Sequence, residues 1–222
     1  VKMFSLTLNK FATLDPYGMG VEMEGNKPGW NDAMNGLPGL FGSGMSETFE
    51  LKRNVVFLLE LLADRKNAEK TVELPVEMFQ FLESINNSVI SVLDGDLTQF
   101  RYWDAVATAR EAYRQSIRFG ITGLQSVVSL EDLRRMLTRF LAKIEAGIHQ
   151  AVELGNGLTP TYFRFEASRF HPVTDDEGNS VISAYGLPKA VVEEFEVFAL
   201  PYFLEGPTRW LKTLNDREQA RS

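Results

Sequence analysis

The segment Lys27-Pro28-Gly29-Trp30-Asn31-Asp32-Ala33-Met34-Asn35-Gly36 sets an indole ring, two amides, a carboxylate and an amine close together in a glycine-rich stretch. A sugar ring needs such a set. Its apolar face stacks on an aromatic ring, and its hydroxyls exchange hydrogen bonds with carboxylate and amide groups. A carboxylic acid beside tryptophan in a partly dry loop has a raised pKa and can protonate a glycosidic oxygen as general acid. Asp32 is therefore the candidate catalytic acid. Trp30, Asn31, Lys27, Asn35 and Tyr17 are the candidate substrate contacts. The plainer alternative is that Asn31 and Asp32 satisfy turn backbone while Trp30 fills the core.

With the downstream Ser46-Glu47, this stretch resembles the active-site region of cellobiose-phosphorylase-like enzymes, members of a clan of carbohydrate enzymes built on an (α/α)6 barrel. The resemblance covers roughly residues 24–53. It implies that Asp32 protonates the leaving sugar while inorganic phosphate attacks the anomeric carbon with inversion. Trp30 and Asn31 would shape the sugar subsite, and Glu47 would be a neighbouring sugar-binding or supporting carboxylate. The chain departs from the group at Gly29, where an aspartate usually precedes the tryptophan. The implied fold is mainly α, part of an (α/α)6 toroid-like barrel with a small β-hairpin insertion.

A second carboxylate separates hydrolysis from phosphorolysis. An inverting hydrolase needs a general base about 6.5–9.5 Å from the acid. Glu22, Glu24 and Glu47 are the candidates near the loop. A phosphorylase instead needs cations and donors that hold phosphate, for which Lys27, Arg164, Arg169 and His171 are candidates. Each also reads well as an ordinary surface residue. Arg110, Arg114 and Arg118 recur every four residues and read as a solvated stripe paired with helix acids rather than an anion cleft. Phe195, Phe198, Tyr202, Phe203 and Trp210 read as core rather than sugar platforms, and His149 as structural.

Composition narrows the classes further. The 222 residues carry 23 basic and 30 acidic side chains, a net charge of −7, which is unlike a phosphate-backbone binder. There is no cysteine, so disulfides, thiolate metal sites and a catalytic thiol are excluded, and two histidines cannot make a histidine-rich metal site. The loop glycines match neither the Walker A spacing nor the dinucleotide fingerprint. No apolar run reaches the roughly 18 residues of a membrane span. The simplest compartment is the cytosol, and no cofactor or metal is expected beyond phosphate as co-substrate.

These groups must be positioned by the elements around them. Phe4, Leu6 and Leu8 alternate with polar residues and predict a short strand. Residues 15–45 form a long glycine- and proline-rich loop, a length that marks a functional segment. Helices are expected from Ser46 to Asp64, with Ser46 as cap, and from Pro75 to Leu93. Asp94-Gly95 breaks the chain, and Asp96 with Gln99 predicts a capping box for a third helix that Gly120 ends. Ser129 with Asp132 caps a fourth, whose Leu130, Leu133, Leu137, Leu141, Ile144, Ile148 and Val152 share one face as far as Gly155. Phe163, Phe165 and Ala167 alternate as a strand, which the turn cluster 175–179 joins to a partner at Val181–Tyr185. Pro188 is expected to open a helix through Phe198, followed by a last short one near Thr208–Leu214.

The expectation is a single domain over residues 1–222 comprising strand and active-site loop (1–45), helical hairpins (46–155), a β excursion (156–186) and terminal helices (187–222). Its helices are too few for a closed barrel and the chain starts Val1-Lys2-Met3, so a fragment of a larger catalytic domain is expected, completed by the rest of a parent chain or by a homo-oligomer. The expected activity is inverting cleavage of a β-linked gluco-oligosaccharide by phosphate. The alternatives are an inverting hydrolase and a non-catalytic carbohydrate-binding or interaction module. Neither nucleic acid nor membrane is an expected partner.

Overall fold

The computed structural model describes residues 1–23, 42–63, 70–183 and 186–214. Among these there are six helices and six strands. The helices are α1 (Lys2–Phe11), α2 (Met45–Leu62), α3 (Val76–Leu93), α4 (Gln99–Ser116), α5 (Leu130–Leu154) and α6 (Glu205–Leu211). The strands are β1 (Val21–Met23), β2 (Gly42–Gly44), β3 (Thr71–Pro75), β4 (Gln125–Ser129), β5 (Tyr162–Pro172) and β6 (Ala190–Ala199). Their order along the chain is α1-β1-β2-α2-β3-α3-α4-β4-α5-β5-β6-α6. None of the described helices is long and apolar enough to cross a membrane.

α5 is the spine. Its buried side chains Leu133, Leu137, Phe140, Ile144, Ile148 and Ala151 recur at three- and four-residue spacing and face α2 and α3. The Ser129 hydroxyl accepts a hydrogen bond from the Asp132 amide at 3.0 Å, so the expected cap forms. Pro75, expected in the first turn of α3, is its N-cap residue and the last of β3, and Gly95, with φ +82, makes the break after the helix. Two other starts differ from expectation. Thr98, not Asp96, caps α4 by accepting from the Arg101 amide. Gly44 rather than Ser46 is the N-cap of α2, and the Ser46 hydroxyl is buried without a partner among the described residues.

The expected architecture is corrected here: the chain is a mixed α and β fold, not a mainly helical barrel segment. One antiparallel sheet has the order β1-β2-β5-β6. A second pairs β3 with β4 from Thr71↔Ser129 to Pro75↔Gln125. Because β3 runs into α3 and β4 into α5, this two-stranded sheet ties the starts of those two helices together.

Two expected elements change type. The predicted strand at Phe4–Leu8 is helix α1. Phe4, Thr7, Leu8 and Phe11 are its buried positions, whereas Leu6 is 70 % exposed. The deciding contact is Phe11 stacked on Phe140 of α5, with ring centroids 4.2 Å apart. The predicted helix from Pro188 to Phe198 is strand β6. It pairs with β5 from Phe163↔Ala199 to Pro172↔Ala190, with a bulge around Ser168. Arg169 reaches Glu193 at 2.9 Å across the pair, and Arg164 lies over the Phe198 ring at 4.2 Å. The segment expected to partner β5 instead lies in the connection, where the Val181 amide donates to the Val173 carbonyl.

Candidate functional site

Among the described residues, a cleft of about 440 Å³ opens between the 12–20 loop, the end of α3, the start of α4, one side of α5, and β6. Its construction starts from Asp15. This fully buried carboxylate accepts hydrogen bonds from the amides of Tyr17 (3.0 Å), Met19 (3.0 Å) and Gly20 (2.7 Å), and from the Ser43 hydroxyl (2.6 Å). Burial raises its pKa, against the lowering effect of the Ser43 and backbone hydrogen bonds. Asp15 thereby folds the loop on itself and fastens it to β2.

The loop rests on α5 through glycine. A side-chain carbon on Gly147 would lie 1.8 Å from the Gly18 carbonyl oxygen, so only glycine allows the approach. Gly18 itself has φ +74, and a side-chain carbon there would meet Lys143 Nζ at 2.3 Å and Gln99 Nε2 at 3.0 Å. Lys143 is therefore held under the loop. Its residue is 5 % exposed, and its ammonium sits 5.1 Å from the Tyr102 ring centroid. Burial pushes its pKa down to about 8, with the Asp15 charge acting in the opposite direction. The Gln99 amide nitrogen and the Tyr102 hydroxyl are buried with no hydrogen-bond partner among the described residues.

Aromatic rings form the opposite wall. The Tyr17 hydroxyl donates to the Phe195 carbonyl at 2.8 Å, and its ring stacks at 6.0 Å on Phe165. Phe100 and Phe195 meet tilted at 43° with centroids 6.1 Å apart, and Trp103 packs edge-on with Phe195 at 5.6 Å. Trp103 in turn donates through Nε1 to Glu22 at 2.5 Å, and Arg110 donates to the other Glu22 oxygen at 3.0 Å. Burial raises the Glu22 pKa despite these two partners. The Glu22 contacts join β1 to α4. Gln150, Glu193 and Glu194 complete the cleft lining.

Of the residues expected from sequence, Tyr17 lines this cleft. Asp32, Trp30, Asn31, Lys27 and Asn35 lie outside the described residues, as does Glu24. Glu47 lies in the first turn of α2, paired with Lys10, and lines a separate concavity with Glu50 and Arg209. Arg164 pairs with Glu166. Arg169 pairs with Glu193 and Glu194, and His171 lies 3.4 Å from Glu193. These last residues are strung along β5 rather than gathered at one point, although their partners Glu193 and Glu194 belong to the cleft. Arg110 and Arg114 both pair with Glu111 on their own helix as expected, and Arg110 also reaches inward to Glu22. His149 is not a core residue: its side chain is exposed beside Glu153.

Sequence reasoning missed Lys143, Asp15 and Gln99. Lys143 had a legible signal, because a lysine beside Phe140, Ile144 and Gly147 falls within the apolar face of α5. Asp15 had none, since Asp-Pro followed by Gly reads as any turn. Chemically, the cleft offers rings, amides, carboxylates and one amine. Among the described residues, no group of three or more acidic or histidine side chains could hold a metal ion. No family model and no curated protein sequence matches this chain.

Proposed function

We propose that this chain is a carbohydrate-active protein that binds a saccharide in the cleft beside Tyr17, Phe100 and Phe195 and acts on its glycosidic bond. The observation that supports this reading is the pairing of those rings with Gln99, Gln150, Glu193 and Glu194 around one opening of about 440 Å³. Such a lining suits a polyhydroxylated ring. Aromatic surface meets the C–H face, amides donate and accept, and carboxylates accept from hydroxyls. A net acidic cleft wall is also a poor fit for a polyanion such as nucleic acid.

In the fuller reading, Asp32 is the general acid. The segment that carries it leaves β1 after Met23 and re-enters the same sheet at Gly42, two residues paired with each other. Asp32 protonates the glycosidic oxygen while inorganic phosphate attacks the anomeric carbon from the opposite face. The products are an inverted sugar 1-phosphate and a shortened sugar. The resemblance around Trp30-Asn31-Asp32 motivates this assignment, and β-linked gluco-oligosaccharides are the substrate class. A cytosolic setting suits the reaction, because a charged sugar phosphate is retained there.

The test is product analysis with β-linked disaccharides, with and without phosphate, alongside calorimetric titration of the same sugars. Sugar 1-phosphate formed only when phosphate is present is the expected result. Free sugar alone moves the assignment to an inverting hydrolase. Binding without any product makes the chain a saccharide-binding module. Neither binding nor product across the panel overturns the reading.

A further inference from the structure

We propose that Lys143 is a reactive amine that captures an aldehyde or ketone ligand as an imine on the wall of the cleft. Three geometric facts carry this. First, Lys143 lines the cleft while its residue is 95 % removed from solvent, since only 5 % of it is exposed. Second, no carboxylate lies within ion-pair distance of it among the described residues; its neighbour is the face of Tyr102. An ammonium held this way lacks the usual reason to be buried. Third, Lys143 Nζ and the partnerless Gln99 amide nitrogen converge on the same point at Gly18, so a carbonyl oxygen approaching the amine meets a second donor.

Desolvation in an apolar, aromatic surrounding is what activates a lysine as a nucleophile. The downward shift to about 8 agrees with the geometry, because it leaves a substantial neutral fraction near neutral pH. The charged and titratable groups around it are Asp15 and Tyr17 on the loop, Tyr102 on α4, and Glu193 and Glu194 on β6.

The step balances without an oxidant. The neutral amine's lone pair forms a bond to the carbonyl carbon, and the carbonyl π pair moves to oxygen, which takes up a proton. The nitrogen releases a proton to solvent. The carbinolamine hydroxyl then takes up a proton and leaves as water while the nitrogen lone pair forms the C=N bond, and the resulting iminium releases its N–H proton to give the imine. The sum is amine plus carbonyl giving imine plus one water. The inference is independent of the saccharide reading, and each can fail alone.

The experiment uses the intact chain, glycolaldehyde as probe and cyanoborohydride to trap the imine as a secondary amine, followed by peptide mapping. At pH 7.5 an amine with pKa near 8 is about one quarter neutral, against about a thousandth for an ordinary lysine. Lys143 is expected to react at least about tenfold faster than the exposed Lys2, Lys189 and Lys212. The advantage should persist at pH 6–7, shrink as pH rises from 8 towards 10.5, where ordinary lysines also become neutral, and vanish in denaturing urea. Labelling of Lys143 no faster than the exposed lysines overturns the proposal. An advantage that survives unfolding overturns it too, because local sequence and not the cleft would then be its source.

Discussion

The carbonyl oxygen of Gly18 occupies the place where a side chain on Gly147 would stand, 1.8 Å from the position of that missing carbon. This contact seats the 12–20 loop on α5, holds Lys143 beneath Gly18 and sets the cleft floor. It joins residues far apart in sequence through backbone alone, so no side-chain rearrangement can relieve a substitution.

Gly147→Ala should therefore destabilise the fold even though alanine is the better helix former. The helix gains about 1 kcal/mol in propensity, but the backbone clash must displace the loop, and overpacking of this kind costs about 1–3 kcal/mol or more. A net loss with a lower Tm by circular dichroism is the expected outcome. Ala146→Ser, at the neighbouring exposed position, should move stability by less than about 0.5 kcal/mol. A Tm for Gly147→Ala at or above that of the parent would refute the contact.

Lys143 makes a prediction with a definite sign. Its folded pKa is depressed to about 8, from an ordinary value of 10.5. Between those values the unfolded chain binds more protons than the folded one, so stability rises with pH through this window and is lost as pH falls through 8. Lys143→Met removes that rise. The difference between parent and variant in urea denaturation should change by on the order of 2–3 kcal/mol between pH 8 and 10.5. A flat difference across that range would mean that the amine is not held in a dry site.

The saccharide reading places Phe195 at the centre of the cleft wall. Phe195→Ala should weaken binding of a β-linked disaccharide by about tenfold or more, since stacking on one ring contributes about 1–3 kcal/mol. Phe119→Ala, at a side chain 93 % exposed and outside the cleft lining, should leave it unchanged. Equal effects from the two substitutions, read by titration calorimetry, would remove the cleft as the binding site.

Asp32→Asn tests the acid. If Asp32 protonates the leaving sugar, turnover falls by orders of magnitude while disaccharide affinity stays within a few-fold of the parent. The two should be read on one preparation, by sugar 1-phosphate release and by titration. Turnover retained at the parent level would assign the proton donation elsewhere.

How much of this was legible depended on length and on local chemistry. The face of α5 from Leu133 to Ile148, the Ser129 cap, Pro75 and Asp94-Gly95 were readable, because long periodic segments and caps state their own boundaries. The six residues Phe4–Asn9 were ambiguous, since a short alternation fits either period. In β6, Val191, Phe195 and Phe198 fall at helical spacing, yet the same residues form a strand beside β5. What settled it was the backbone ladder to β5, from Phe163↔Ala199 to Pro172↔Ala190, a partner that no local window contains.

By itself, then, the sequence determined the helices of the middle, the absence of thiol chemistry and the acidic balance. Tertiary structure alone decided that the fold is mixed rather than a helical barrel segment, and that Gln99 and Lys143 share one cleft with Tyr17 and Phe195, beside a loop folded on buried Asp15. The reason is physical. Periodicity and caps are properties of neighbours along the chain, whereas a buried amine and the seat of a loop on Gly147 exist only when distant backbones come within contact.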